Sequence, residues 1–145
     1  MKEIYINEID SQAKEYQQLL VFRNRWLREP LGLNLFEEDL SDDHKDHILV
    51  VMDGEEIVGC VMLHPSGADT VKLRQMAIHE RLQGKGIGKV LVEDAEQLAA
   101  EKGYKEIVLH ARMTAKGFYE KLGYTPFGAE FTEVTIPHIA MRKTL

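Results

Sequence analysis

A chain of 145 residues with 44% hydrophobic content, a net charge of −6 and one cysteine is long enough to close a hydrophobic core, burying roughly 70% of its extended-chain surface. The acidic balance argues against general nucleic-acid binding, Cys60 alone excludes an internal disulfide, and no stretch approaches the ~20 apolar residues of a membrane helix. Met1-Lys2-Glu3-Ile4 lacks a signal-peptide core, so the expectation is one cytoplasmic domain over residues 1–145.

Lys2 to Ile9 alternates as a strand. Asp10 or Ser11 is placed to cap a helix carrying Tyr16, Leu19, Leu20, Trp26 and Leu27, which Pro30-Leu31-Gly32 ends. Phe22 and Trp26 read as core, and Arg23 to Arg28 reads as a solvated face, the alternative being an acceptor-pocket wall selecting an acidic substrate. Asp42, Asp43, His44, Asp46 and His47 read as a solvated loop entering a strand, and no metal is expected. Strands His47 to Met52 and Ile57 to His64 flank Asp53-Gly54, a hairpin signal with slightly more than the tightest spacing. Cys60 lies in an apolar run, where a small buried filler competes with a nucleophile.

Thr70 to Ile78 is the next strand, and its phase changes. Val71 and Leu73 share one face, whereas Met76 and Ile78 take the opposite parity. A bulge near Gln75 accounts for this, as does a strand buried on both faces. Arg81 to Lys89 then sets three glycines and three cations, with no acid, where a strand pattern gives way to a helical one. Such a loop suits a phosphorylated ligand, because glycines admit an anion to the backbone and the free N–H groups and dipole of the next helix favour its charge. The plainer alternative is a glycine-rich turn with solvated lysines.

Ile87, Val90, Leu91, Ala95 and Leu98 form the apolar stripe of that helix, which ends at Lys102-Gly103. A strand at Lys105 to His110 precedes a short helix with Ala115, Phe118, Tyr119 and Leu122 at helical spacing, stopped by Gly123. Strands Tyr124 to Phe131 and Thr135 to Arg142 complete an α/β sheet. Neither the Walker spacing nor the dinucleotide-binding spacing fits Gly84 to Lys89.

What does fit is Gln-x-x-Gly-x-Gly, from Gln83, Gly86 and Gly88. With the strand Leu73 to Ile78 before it and Ala115-Lys116-Gly117-Phe118-Tyr119-Glu120-Lys121-Leu122-Gly123-Tyr124 after it, the sequence resembles the GNAT superfamily of acyl-CoA-dependent N-acetyltransferases over Leu73 to Leu145. The ending around Ile136-Pro137-His138 is similar to an ElaA-like bacterial branch.

The resemblance implies a mixed, strongly twisted sheet flanked by helices, with central strands splayed around acetyl-CoA as co-substrate. It implies that backbone groups of Met76, Ala77 and Ile78 pair with the pantetheine arm and face the thioester carbonyl, and that Gln83, Gly84, Lys85, Gly86, Ile87, Gly88 and Lys89 hold the pyrophosphate. Arg112 stands where many members carry an asparagine, and is read as a phosphate or acceptor contact or as solvated. Tyr119, as a bare helical aromatic, would be core; its family counterpart faces the CoA sulfur, which implies a general acid. His79, His110 and the Glu133/His138 pair are the candidate bases or acceptor-site groups. The expected reaction is direct attack by a primary amine of a small molecule or peptide, with a homodimer by analogy. A non-catalytic acyl-CoA sensor or assembly module would need the same loop.

Overall fold

The computed structural model describes residues 3–145. In chain order the elements are β1 (Ile4–Ile9), α1 (Tyr16–Leu27), β2 (His47–Asp53), β3 (Glu56–Pro65), β4 (Thr70–Ile78), α2 (Ile87–Glu101), β5 (Glu106–Arg112), α3 (Lys116–Lys121), β6 (Thr125–Glu133) and β7 (Ile136–Thr144), with short 3-10 turns between several of them. The strands form one sheet in the order β1-β2-β3-β4-β5-β7-β6. All neighbours are antiparallel except β4 and β5, which run parallel on either side of the α2 crossover. This is the mixed α/β architecture expected; Lys2, the predicted start of the first strand, lies outside the described residues.

Period-2 alternation sends each strand's residues to opposite faces. Ile48, Val50 and Met52 pack with Leu19 and Phe22 of α1 and with Cys60, while Leu49 and Val51 join Leu91, Ala95 and Leu98 of α2 on the other face. Buried on both sides, β2 and β3 are apolar almost throughout. Cys60 is such a filler, and burial pushes its thiol up to about 12, away from nucleophilic use.

Two local expectations need correction. Helix α1 starts at Tyr16, with Glu15 at its N-cap making no side-chain cap bond. Asp10 does not cap it, because its carboxylate instead accepts the Gln12 N–H at 2.8 Å, and Ser11 lies inside the turn so closed. The β2–β3 connection is also tighter than its spacing suggests. Asp53 and Glu56 are themselves a cross-strand pair, so the loop is Gly54-Glu55, with Gly54 at φ +62° supplying the positive φ a tight hairpin requires.

The phase change in β4 is a bulge. Cys60 pairs with Ala77 and Met62 with Arg74, leaving Gln75 and Met76 opposite Val61, and Gln75 takes φ +55°. Beyond Leu73, paired with Leu109, β4 and β5 have no further register. Instead β5 continues beside β7 as far as Arg112 opposite His138. The sheet therefore opens at its centre, on the C-terminal side of two parallel strands.

Packing beside this opening is tight at Gly59. A Cβ there would lie 2.9 Å from both Ile78 Cδ1 and Val51 Cγ2. Gly59→Ala should therefore destabilise by about 1–3 kcal/mol through overpacking, read as a lower thermal midpoint. An unchanged midpoint would show that these side chains yield freely.

Candidate active site

Where β4 and β5 part, a cleft of about 970 Å³ enters the molecule. Trp26 and Leu27 of α1 with Arg28 just past its end form one wall, Gln75 to Ile78 the bulged strand, and His110 to Arg112 the facing strand. The glycine loop lies at one end. Gly84 and Gly86 adopt φ +75° and +82°, which turns the chain from β4 into α2. That helix has no side-chain N-cap and no acid in its first turn, so its N-terminal dipole is directed at whatever enters. Gln83 Nε2 donates to the Ile78 carbonyl at 3.0 Å, stapling the loop to β4.

Of the loop residues, Gln83, Gly84, Gly86, Gly88 and Lys89 line the cleft. Lys85 and Ile87 lie on the opposite side of the turn, along a shallower groove with Tyr5, Val51 and Val90. At Gly88 a Cβ would make ordinary contacts, 3.5 Å from Met76 Cε and from Phe118 Cζ.

Tyr119 is buried against Phe118 and Tyr124. Its hydroxyl donates to Met76 Sδ at 3.4 Å, and burial pushes its pKa up to about 12, so it holds its proton throughout the neutral range. Arg112 lines the cleft at the end of β5.

The base candidates separate. The Nδ1 of His79 accepts the Arg81 N–H at 3.2 Å, capping a 3-10 turn, and its ring packs on Trp26 at 4.7 Å; it is not among the cleft-lining residues. His110, Glu133 and His138 converge around Phe131. His110 Nδ1 meets Glu133 Oε1 at 2.8 Å, and Lys72 Nζ lies 3.2 Å from the same ring nitrogen. Burial raises the Glu133 carboxyl, but the His110 hydrogen bond and the charges of His110, Lys72 and His138 outweigh it and keep it below the usual range. His138 is buried, and its Nδ1 lies 2.8 Å from the Ile136 carbonyl. A carbonyl only accepts, so Nδ1 carries a proton, and whenever the ring is neutral its lone pair is on Nε2, 3.9 Å from Glu133 Oε2.

A tight turn brings these groups together. Glu133 pairs with Ile136 across Val134 and Thr135, which take φ +51° and +64°. Two left-handed β-branched residues in succession are a strained pattern that composition does not signal.

The acidic segment is solvated only in part: Asp42 and His44 are exposed as expected, but two of its acids are not. Asp43 and Asp46 are buried, because Arg23, Arg74 and His64 pair with them. Arg23 is correspondingly 1% exposed, not on a solvated helix face. Among the described residues no group of three or more His, Cys, Asp or Glu is placed to hold a metal.

Residues 11–145 match the family model described as Acetyltransferase (GNAT) domain. The chain belongs to the GNAT acetyltransferase family. It is 32% identical over 143 residues to the uncharacterized protein YyaT of Bacillus subtilis, covering 97% of this chain and 95% of that one. The crystal structure of Escherichia coli ElaA superposes with a TM-score of 0.86 at 19% identity, covering 97% of this chain and 99% of that one. A GNAT family acetyltransferase from Elizabethkingia anophelis, solved with acetyl-CoA bound, gives a TM-score of 0.71 at 20% identity over 98% of each chain. As a GNAT domain this chain is an acetyltransferase, and no helix among its described residues is long and apolar enough to cross a membrane.

Proposed function

We propose that this GNAT domain transfers an acetyl group from acetyl-CoA to a primary amine by direct attack in the splayed cleft. The observation that carries the reading is the β4 bulge beside an open strand pair, with the glycine loop at one end and Tyr119 against Met76. Amides of Gln83, Gly84, Gly86, Gly88 and Lys89 hold the pyrophosphate. The backbone of Met76 to Ile78 pairs with the pantetheine and directs N–H groups at the thioester oxygen, where negative charge develops.

An alkyl amine is largely protonated near neutrality, so a proton must leave before nitrogen attacks. The Nε2 of His138, with the Ile136 carbonyl behind the ring at Nδ1 and the Glu133 carboxylate 3.9 Å away on the Nε2 side, accepts that proton. The nitrogen then bonds to the carbonyl carbon and gives up a second proton as the C–S bond breaks, and that proton is relayed through Tyr119 to the departing sulfur. The products are an amide and free CoA thiol.

His138→Gln keeps a polar side chain but removes the base. Turnover near pH 7 should fall about tenfold, less than the roughly 10²-fold or more usual for general-base loss, because water can substitute. The deficit should shrink as pH rises and the amine deprotonates unaided; a deficit independent of pH would count against this role. For the function itself, an amine panel with acetyl-CoA should release one thiol per acetylated product. Acetyl-CoA binding without thiol release on any amine would favour the sensor module instead.

A further inference from the structure

The bulge needs support, because φ +55° at Gln75 costs an ordinary L-residue about 1–2 kcal/mol. Gln75 is held at both its carbonyl and its side chain. Its carbonyl accepts the Cys60 thiol at 3.1 Å, and its Oε1 accepts Arg23 Nε at 3.0 Å. Arg23, buried on α1, is in turn fixed by Asp43, whose Oδ2 accepts from Arg23 Nη1 at 2.7 Å and from the Tyr16 hydroxyl at 2.6 Å. The other oxygen of Asp43 accepts from Arg74 Nη2 at 3.0 Å. One carboxylate thus holds two arginines, one bonded to Gln75 and the other preceding it in the strand. Burial opposes ionisation of Asp43, but the bonds from Tyr16 and Arg23 and the charges of both arginines prevail and lower its pKa.

The geometry points to Arg23 and Asp43 as positioning residues for the acyl-CoA site, clamping Gln75 in its left-handed conformation so that the backbone of Met76 to Ile78 faces the cofactor. This rests on the proposed acetyl-CoA reading. Neither Arg23 nor Asp43 lines the cleft; both act through Gln75. The next residue, Met76, accepts from the Tyr119 hydroxyl, so the clamp sits one residue from that acceptor.

The test separates clamping from simple stability. Arg23→Met leaves Asp43 with less compensation and should lower the thermal midpoint. Arg23→Met combined with Asp43→Leu removes the buried pair without stranding either charge, and should recover much of that midpoint. If the pair is a clamp, the double variant still binds acetyl-CoA about tenfold more weakly than the unmodified chain, since displaced binding groups are expensive. Backbone amide resonances of Met76 and Ala77 should also shift in the ligand-free protein. Recovery of both midpoint and affinity, with those resonances unmoved, would overturn the proposal. Should the double variant not fold, Gln75→Leu reads the same affinity, with Gln75→Glu as the control that still accepts from Arg23; equal affinities in the two would likewise overturn it. Failure of the unmodified chain to bind acetyl-CoA would instead overturn the functional reading, while the ligand-free resonances still report on the clamp.

Discussion

Gly86→Val should abolish the rise in thermal midpoint that acetyl-CoA gives the unmodified chain. A ligand at a hundredfold excess over its Kd stabilises the native state by about 2.7 kcal/mol, and a chain of this size moves by about 2–4 °C per kcal/mol, so the rise is several degrees. Gly86 sits at φ +82° at the start of α2, a conformation a β-branched residue adopts only under strain. Its Cβ position meets nothing within 4 Å in the ligand-free fold. The substitution should therefore lower the midpoint modestly while filling the space through which an anion reaches the backbone. Gly103→Val supplies the control, because Gly103 also has positive φ and open space at its Cβ position but is not a cleft residue. It should lose stability and keep the ligand-induced rise. Equal rises in the two variants would remove Gly86 from the binding site.

Tyr119→Phe should slow chemistry while sparing acetyl-CoA affinity. The ring and its edge contacts with Phe118 and Tyr124 remain, and only the hydroxyl that reaches Met76 Sδ is lost. With its pKa pushed up to about 12 by burial, the phenol is a weaker acid than a thiol of pKa about 8.5. Its contribution is then a hydrogen bond to the developing thiolate and relay of a proton. That places the loss at the low end for acid–base catalysis, on the order of 10–10² in kcat. A core residue would show the opposite division: near-normal turnover and a lower midpoint. With chemistry rate-limiting, a kcat within about twofold of the unmodified chain would remove Tyr119 from the mechanism. No limb of the pH–rate profile near neutrality should belong to this hydroxyl, because it stays protonated there.

Much of the fold was legible because it is written in near neighbours. The stripe Ile87, Leu91, Ala95 and Leu98 lies within one helix, α2 (Ile87–Glu101), although Val90, read as part of it, is exposed and Val92 is buried instead. The parity break between Leu73 and Met76 is a local count, and the register slip opposite Val61 follows from it. The same holds for the glycine loop, whose positive φ values at Gly84 and Gly86 need only residues without a Cβ. These patterns determined the α/β class, the strand–loop–helix unit and the family.

Tertiary structure decided what depends on distant partners. Asp43 was misread because an acidic loop residue is ordinarily solvated; its burial depends on Arg23, 20 positions away, and Arg74, 31 positions away. Hydrogen bonding separated the histidines as well: the same side chain is a cap at His79, and at His138 a ring whose proton is pinned on Nδ1 by the Ile136 carbonyl. The left-handed turn at Val134-Thr135 that places Glu133 beside Ile136 runs against local propensity, so no local pattern announces it. Spacing records what a residue can do within its own element, whereas burial and charge pairing arise only when separate elements meet, and those set the protonation and orientation on which a mechanism depends.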